Sequence, residues 1–223
     1  MMIIWNNGRC QTHPIFKIFT QSAEIVYTMK SMAKSSAQKV MTQKQIAQDY
    51  LALAQKYRRE GRFNKALNAL RVALNTYPKY AQAYNELGLV HRKLGESKEA
   101  RAAYQKALRL NPKSSTAALN LGICYLYEEK EGQAIFYFKK AVQNDPHYGY
   151  AFFNLGSTYF DQAKYDLAIE NLEKAIELEP TYLASYEICA MAHLILGNKD
   201  KAEHLYQSSE KFKRQARLKN VIG

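Results

Sequence analysis

The chain has 223 residues, 47% of them apolar, with 10 Gly, 5 Pro, 3 Cys and a formal net charge of +12. This apolar content is too high for an intrinsically disordered chain, and the scarcity of Gly and Pro favours long helices over turn-rich architecture. No apolar run approaches the roughly 18 residues that a membrane span needs.

Residues 1–46 follow no period. They carry Arg9, Lys17, Lys30, Lys34, Lys39 and Lys44 against Glu24 alone, with Ser31, Ser35, Ser36 and Gln38 adding polarity. A basic, mostly disordered extension is predicted, with a helical part near residues 42–48 that leads into a periodic region. The lack of acids also fits an organelle transit segment, and Met29, Met32 and Met41 offer later translation starts. The first nineteen residues lack the continuous apolar stretch of a secretory signal. A cytoplasmic location is the expectation. The three cysteines, Cys10, Cys124 and Cys189, form no Cys-x-x-Cys pair and read as free thiols in a reducing compartment, the last two in the core.

From residue 47 the chain repeats. Tyr77-Pro78, Asn111-Pro112, Asp145-Pro146 and Glu179-Pro180 recur every 34 residues, and Leu87-Gly88, Leu121-Gly122 and Leu155-Gly156 keep the same step. Two small columns run in phase: Ala66, Ala100, Ala134, Ala168, Ala202, and Ala73, Ala107, Ala141, Ala175, Ser209. Between them lies a bulky column, Leu70, Tyr104, Phe138, Leu172, Tyr206, and a further one reads Tyr57, His91, Tyr125, Tyr159, His193. Each period predicts a first helix (81–94 in the second copy), a tight turn, and a second helix (98–110). Gly61, Gly95 and Gly197 mark the turn, where glycine supplies a left-handed backbone without steric cost. Prolines end each second helix. One such unit cannot bury its own apolar face, so neighbours must stack.

This pattern resembles the tetratricopeptide repeat family, with 34 residues per helix–turn–helix unit. The best copy is Gly149–Tyr182, where Phe152, Leu155, Gly156, Tyr159, Tyr165, Ala168, Leu172, Ala175 and Pro180 match family positions. The resemblance implies an all-α, right-handed superhelical solenoid of about five repeats: 47–80, 81–114, 115–148, 149–182 and 183–216. A basic tail, 217–223, continues the last helix. The third copy places Glu129 and Lys130 in the turn with Gly132 displaced. The fifth replaces Leu-Gly by Cys189-Ala190 and proline by Arg214, as terminal repeats often do.

In this family the first helices line a concave groove that receives a peptide. Carried over by alignment, the groove here comprises Arg58 and Arg59 from the first copy and Asn85, Arg92 and Lys93 from the second. The third supplies Leu119, Asn120, Ile123 and Tyr127, and the fourth Tyr150, Phe153, Asn154 and Phe160. The apolar and aromatic members predict an open binding patch at mid-groove. Asn120 and Asn154, one repeat apart, suggest amides that hold a peptide backbone, although Ala52, Glu86 and Ile188 interrupt the ladder. The basic members suit acidic side chains or a terminal carboxylate. The family's carboxylate clamp for chaperone tails is not matched, since Leu51, Gln55, Glu86, Thr116 and Asn120 stand at its places.

Charge is uneven along the array. Residues 47–80 carry seven basic and two acidic residues and 81–114 seven and three, whereas 149–182 carry two and six. This layout favours an acidic protein partner at the first repeats. No nucleic-acid module is recognisable, which argues against that partner class. Nor is there a nucleophile–base pair, phosphate loop or metal cluster: His13, His91, His147, His193 and His204 are dispersed, and Glu170, Glu173 and Glu177 read as solvated helix surface. No catalytic residue, metal or cofactor is expected. The function expected is a protein-binding scaffold or assembly factor. The alternatives are a chaperone that shields an apolar client, or self-association through the fifth repeat, whose Ile188, Met191, Leu194 and Ile195 leave one helix apolar almost all round.

Overall fold

The computed structural model describes residues 5–6, 9–10, 38–39 and 42–222, with side-chain surroundings within 38–214. The expectations of a disordered extension and of a transit segment lie largely outside these residues, and so does the side chain of Cys10. Trp5–Asn6 and Arg9–Cys10 form a two-residue antiparallel ladder. All other regular structure among the described residues is helical.

The helices are α1 (42–59), α2 (Phe63–Thr76), α3 (Ala81–Lys93), α4 (Ser97–Leu110), α5 (Ser115–Tyr127), α6 (Glu131–Asn144), α7 (Gly149–Asp161), α8 (Tyr165–Leu178), α9 (Leu183–Ile195) and α10 (Lys199–Ile222). They form five hairpins in succession, and each second helix also packs on the first helix of the next hairpin. The result is the right-handed all-α solenoid expected from the repeat.

The columns explain the packing. A methyl placed on Gly88 would lie 2.5 Å from Tyr104 Cε1, one on Gly122 2.5 Å from Phe138 Cε1, and one on Gly156 2.8 Å from Leu172 Cγ. The glycine of α3, α5 and α7 is therefore the socket for the bulky residue of its partner helix. Tyr104, Phe138 and Leu172 are fully buried there. The small columns let the backbones close: Ala66, Ala100, Ala134, Ala168 and Ala202 have no exposed surface. The first and fifth hairpins carry alanine at this place: Leu70, in the bulky column with Ala54, is fully buried, whereas Tyr206, in the column with Ala190, is 38% exposed.

Two devices set the angles between helices. After each of α2, α4, α6 and α8 the next backbone N–H (Tyr77, Asn111, Asp145, Glu179) donates to the carbonyl of Ala73, Ala107, Ala141 or Ala175. Asn111 Oδ1 and Asp145 Oδ1 then accept from the N–H two residues on, closing Asx turns at the prolines. Within each hairpin one residue takes a left-handed backbone. Gly61, Gly95 and Gly197 do so at φ 72°, 79° and 80°, but Glu129 (58°) and Ala163 (56°) occupy the same place in the third and fourth hairpins. Glu129 stands where the repeat places the turn of the third copy. Ala163 carries no turn signal of its own.

These positions predict opposite signs. Gly122→Ala drives a methyl into a buried ring and should lower stability by about 1–3 kcal/mol. Ala163→Gly relieves a left-handed alanine and should raise it by about 1 kcal/mol. Urea midpoints of the two variants check both, and equal shifts would refute the socket.

Candidate partner-binding site

The first helices touch one another directly along one side of the stack. Arg58 of α1 forms an ion pair with Glu86 of α3, and Asn120 Nδ2 of α5 donates to Asn85 Oδ1 of α3 at 3.1 Å. A hollow of about 320 Å³ opens over this seam, lined by Leu51 and Gln55 of α1, Gln82, Asn85 and Glu86 of α3, and Ser114 and Thr116 at the start of α5. Its wall is polar. This concavity lies over the first three repeats rather than at the expected apolar middle.

The expected apolar lining divides into two groups. Leu119 is only 5% exposed and belongs to the core, which corrects the expectation that it lines open surface. Ile123, Phe153 and Phe160 are half-buried and pack against that core. Phe153 meets Tyr182 edge-on at 4.7 Å and Phe160 meets Tyr165 at 5.6 Å. Two rings remain outward: Tyr127 at 75% exposure and Tyr150 at 43%. Tyr150 is held edge-on to Tyr148 and Tyr182 at 6.5 and 5.0 Å. These two supports are not among the residues expected from the sequence, although their shared 34-residue column is visible there.

The asparagines do not form a matched ladder. Asn120 is tied to Asn85, whereas Asn154 Nδ2 donates back to the Tyr150 carbonyl of its own helix at 2.7 Å. The equivalent positions therefore make different bonds.

The basic members also differ. Arg58 is engaged by Glu86, a carboxylate with almost no exposed surface. Arg59 and Lys93 are exposed, and they are the cations open to an acidic ligand. Arg92 is half-buried, and its Nε lacks an acceptor among the described residues. Tyr104 Oη is likewise buried without a partner, and burial raises its pKa. Burial pushes the Cys124 thiol up to about 11 and the Cys189 thiol up to about 12. Both are buried, as expected of core cysteines.

In the fifth repeat α9 packs against both α8 and α10, which together bury Tyr186, Cys189, Ala190 and His193. Tyr186 meets Phe212 at 5.9 Å, and Lys213 pairs with Glu187 at 3.1 Å. Met191, Leu194, Ile195 and Leu196 stay exposed, Ile195 at 53%. Among the described residues no helix is long and apolar enough to cross a membrane.

Five stacked helical hairpins whose first helices share one face define an α-solenoid scaffold. The chain belongs to the tetratricopeptide repeat family: one tetratricopeptide repeat model matches residues 51–115 and 90–149, and a second matches 149–182. Solved structures of the same fold include MamA, at 24% identity over 74% of this chain and 96% of that one, with a TM-score of 0.65. PilF of Pseudomonas aeruginosa matches at 24% identity over 77% and 78%, TM-score 0.72. YrrB, described as a tetratricopeptide repeat protein with an unusual peptide-binding site, matches at 21% identity over 74% and 85%, TM-score 0.59. No curated protein matches the chain.

The Arg58–Glu86 pair makes the floor of the hollow testable. Removing one member of a buried pair leaves an uncompensated charge, so Arg58→Ala should cost about 3 kcal/mol. Arg58→Met combined with Glu86→Gln should recover most of that loss. Denaturant midpoints of the single and double variants decide it, and equal losses would show that the pair is not coupled.

Proposed function

We propose that the protein is a non-enzymatic scaffold or assembly factor that holds an extended partner segment across its first helices. The observation that carries this reading is the polar hollow over α1, α3 and α5, with two exposed tyrosines, Tyr127 and Tyr150, on the first helices of the third and fourth repeats. A folded monomer gains little by leaving Tyr127 so exposed on a face that also offers ordered polar groups, and such patches commonly mark interaction surfaces. Gln55, Gln82, Asn85 and Thr116 supply donors and acceptors for a peptide backbone. Arg59 and Lys93 supply charge for acidic side chains, through steering more than raw affinity. Tyr127 and Tyr150 supply the apolar anchors. Each buried anchor contributes about 1.5–3 kcal/mol before ordering costs. The peptide-binding site described for YrrB, a protein of the same fold, supports the general role.

Selection from a random peptide library on the purified chain tests this reading. Selected peptides should be rich in acidic and aromatic or aliphatic residues. Tyr127→Ala with Tyr150→Ala should weaken their binding about tenfold or more, and Arg59→Glu with Lys93→Glu should select against acidic peptides. Unchanged affinity in both double variants would remove the groove as the binding face.

A second reading rests on the fifth repeat, where Met191, Leu194, Ile195 and Leu196 stay exposed beside α10. Self-association through this end predicts elution as a concentration-dependent dimer and return to a monomer in Leu194→Ser with Ile195→Ser. A monomer at all concentrations would leave the groove reading alone.

A further inference from the structure

The seam between the fourth and fifth repeats is chemically unlike the others. In the preceding seams a residue of the second helix meets an aromatic twenty positions on: Gln105 Nε2 lies 3.4 Å from Tyr125 Oη, and Lys139 Nζ sits 5.9 Å over the Tyr159 ring. At the last seam the equivalent pair is Glu173 and His193, with Oε1 and Nε2 3.6 Å apart. The apolar residue of that column, Leu121 or Leu155 earlier, has become Cys189. Three neighbouring positions therefore acquire metal-binding chemistry at one seam. One ligand atom from each of Glu173, Cys189 and His193 lies within 4.8 Å of the others.

The other histidine of this column supplies the contrast. His91 has Leu87 in the cysteine place and Arg71 in the glutamate place. Its Nδ1 lies 2.5 Å from Glu96 of its own turn. Among the described residues no ligand set gathers around it. A histidine in this column is thus an ordinary packing residue unless its neighbours also change, and only at the last seam have they done so.

We propose that Glu173, Cys189 and His193, joined by His204, form a binding site for a divalent transition-metal ion of the zinc class. Cys189 and His193 are four residues apart and share one face of α9. Asp200 and His204 have the same spacing on α10, and both line a cavity of about 310 Å³ with Glu173 and His193. A tetrahedral ion bound at about 2.0–2.3 Å holds its ligand atoms roughly 3.3–3.8 Å apart. Glu173 and His193 already meet that spacing, and the exposed Glu173 side chain is free to adjust. The far nitrogen of His193, Nδ1, lies 3.5 Å from the Asn198 side-chain amide. With that amide turned to present its oxygen, it accepts from Nδ1–H and fixes Nε2 as the metal-facing atom, the usual arrangement behind a ligating histidine. Charge also balances: a thiolate and the carboxylates of Glu173 and Asp200 offset the divalent ion and Lys201, which borders the same cavity. A soft thiolate with imidazole favours zinc or cobalt over magnesium or calcium. The ion would latch α8, α9 and α10 together at the last repeat of the array.

Titration of the reduced full chain with Co²⁺, followed by displacement with Zn²⁺, tests the site. The expected result is one equivalent bound, with a thiolate-to-cobalt charge-transfer band that Cys189→Ser abolishes. Glu173→Gln and His204→Gln change exposed side chains without disturbing the core, and each should weaken binding about tenfold or more. Four results would overturn the proposal: no thiolate band, a band that persists in Cys189→Ser, or unchanged affinity in either Glu173→Gln or His204→Gln.

Discussion

A missing side chain in the three middle first helices, matched by a bulky one in each partner helix, is the contact on which the architecture depends. Gly88, Gly122 and Gly156 receive Tyr104, Phe138 and Leu172 at distances that leave no room for a methyl. Because the socket recurs at a fixed position, each hairpin closes at the same angle, and successive hairpins stack with the same offset. The alanine columns allow the close approach, and the capping hydrogen bonds at Tyr77, Asn111, Asp145 and Glu179 reset the chain direction at each step. That repetition generates a face lined by the first helices through contacts between neighbouring helices and hairpins.

This geometry also decides what the inner face can offer. A first helix spends one side on its socket and another on the preceding second helix, so only a narrow strip remains. Large apolar residues on the border of that strip turn toward the core, as Leu119 does fully and Ile123, Phe153 and Phe160 do in part. Those that cannot, Tyr127 near a helix end and Tyr150 near a helix start, stay outward. The strip over the first three repeats is therefore mostly polar, and its charge is set by pairs such as Arg58–Glu86 rather than by a count of basic residues.

The division between what is legible in the sequence and what is not runs along the same line. The 34-residue step fixes which residues face another helix, so the fold, the glycine sockets, the buried cysteines and three of the five left-handed turns can be read directly. Glycine announces a positive φ, and Ala163 gives no such signal because the hairpin imposes the conformation on an ordinary residue. Periodicity also says nothing of which partner a half-exposed polar group selects. Asn120 and Asn154 share a column, yet one reaches across to Asn85 and the other folds back on its own helix. Glu173, Cys189 and His193 read separately as surface, core and packing residues, and only the coordinates bring them together.

The last repeat shows why unusual chemistry can collect at the end of an array. An internal hairpin is constrained on both sides, so a glycine or leucine column cannot drift without disturbing two neighbours. The fifth hairpin has a neighbour on one side only. There the socket carries Ala190, the bulky partner Tyr206 is partly released to solvent, and α10 runs on to Ile222 beyond the usual end of a second helix. Packing that is relaxed in this way must be replaced by some other tie if the end is not to fray. The ring contact of Tyr186 with Phe212 and the Lys213–Glu187 pair supply part of it. A metal ion drawn to Cys189, His193 and Glu173 would tie α8 to α9, and His204 would extend that tie to α10, at the end of the array where a neighbour constrains only one side.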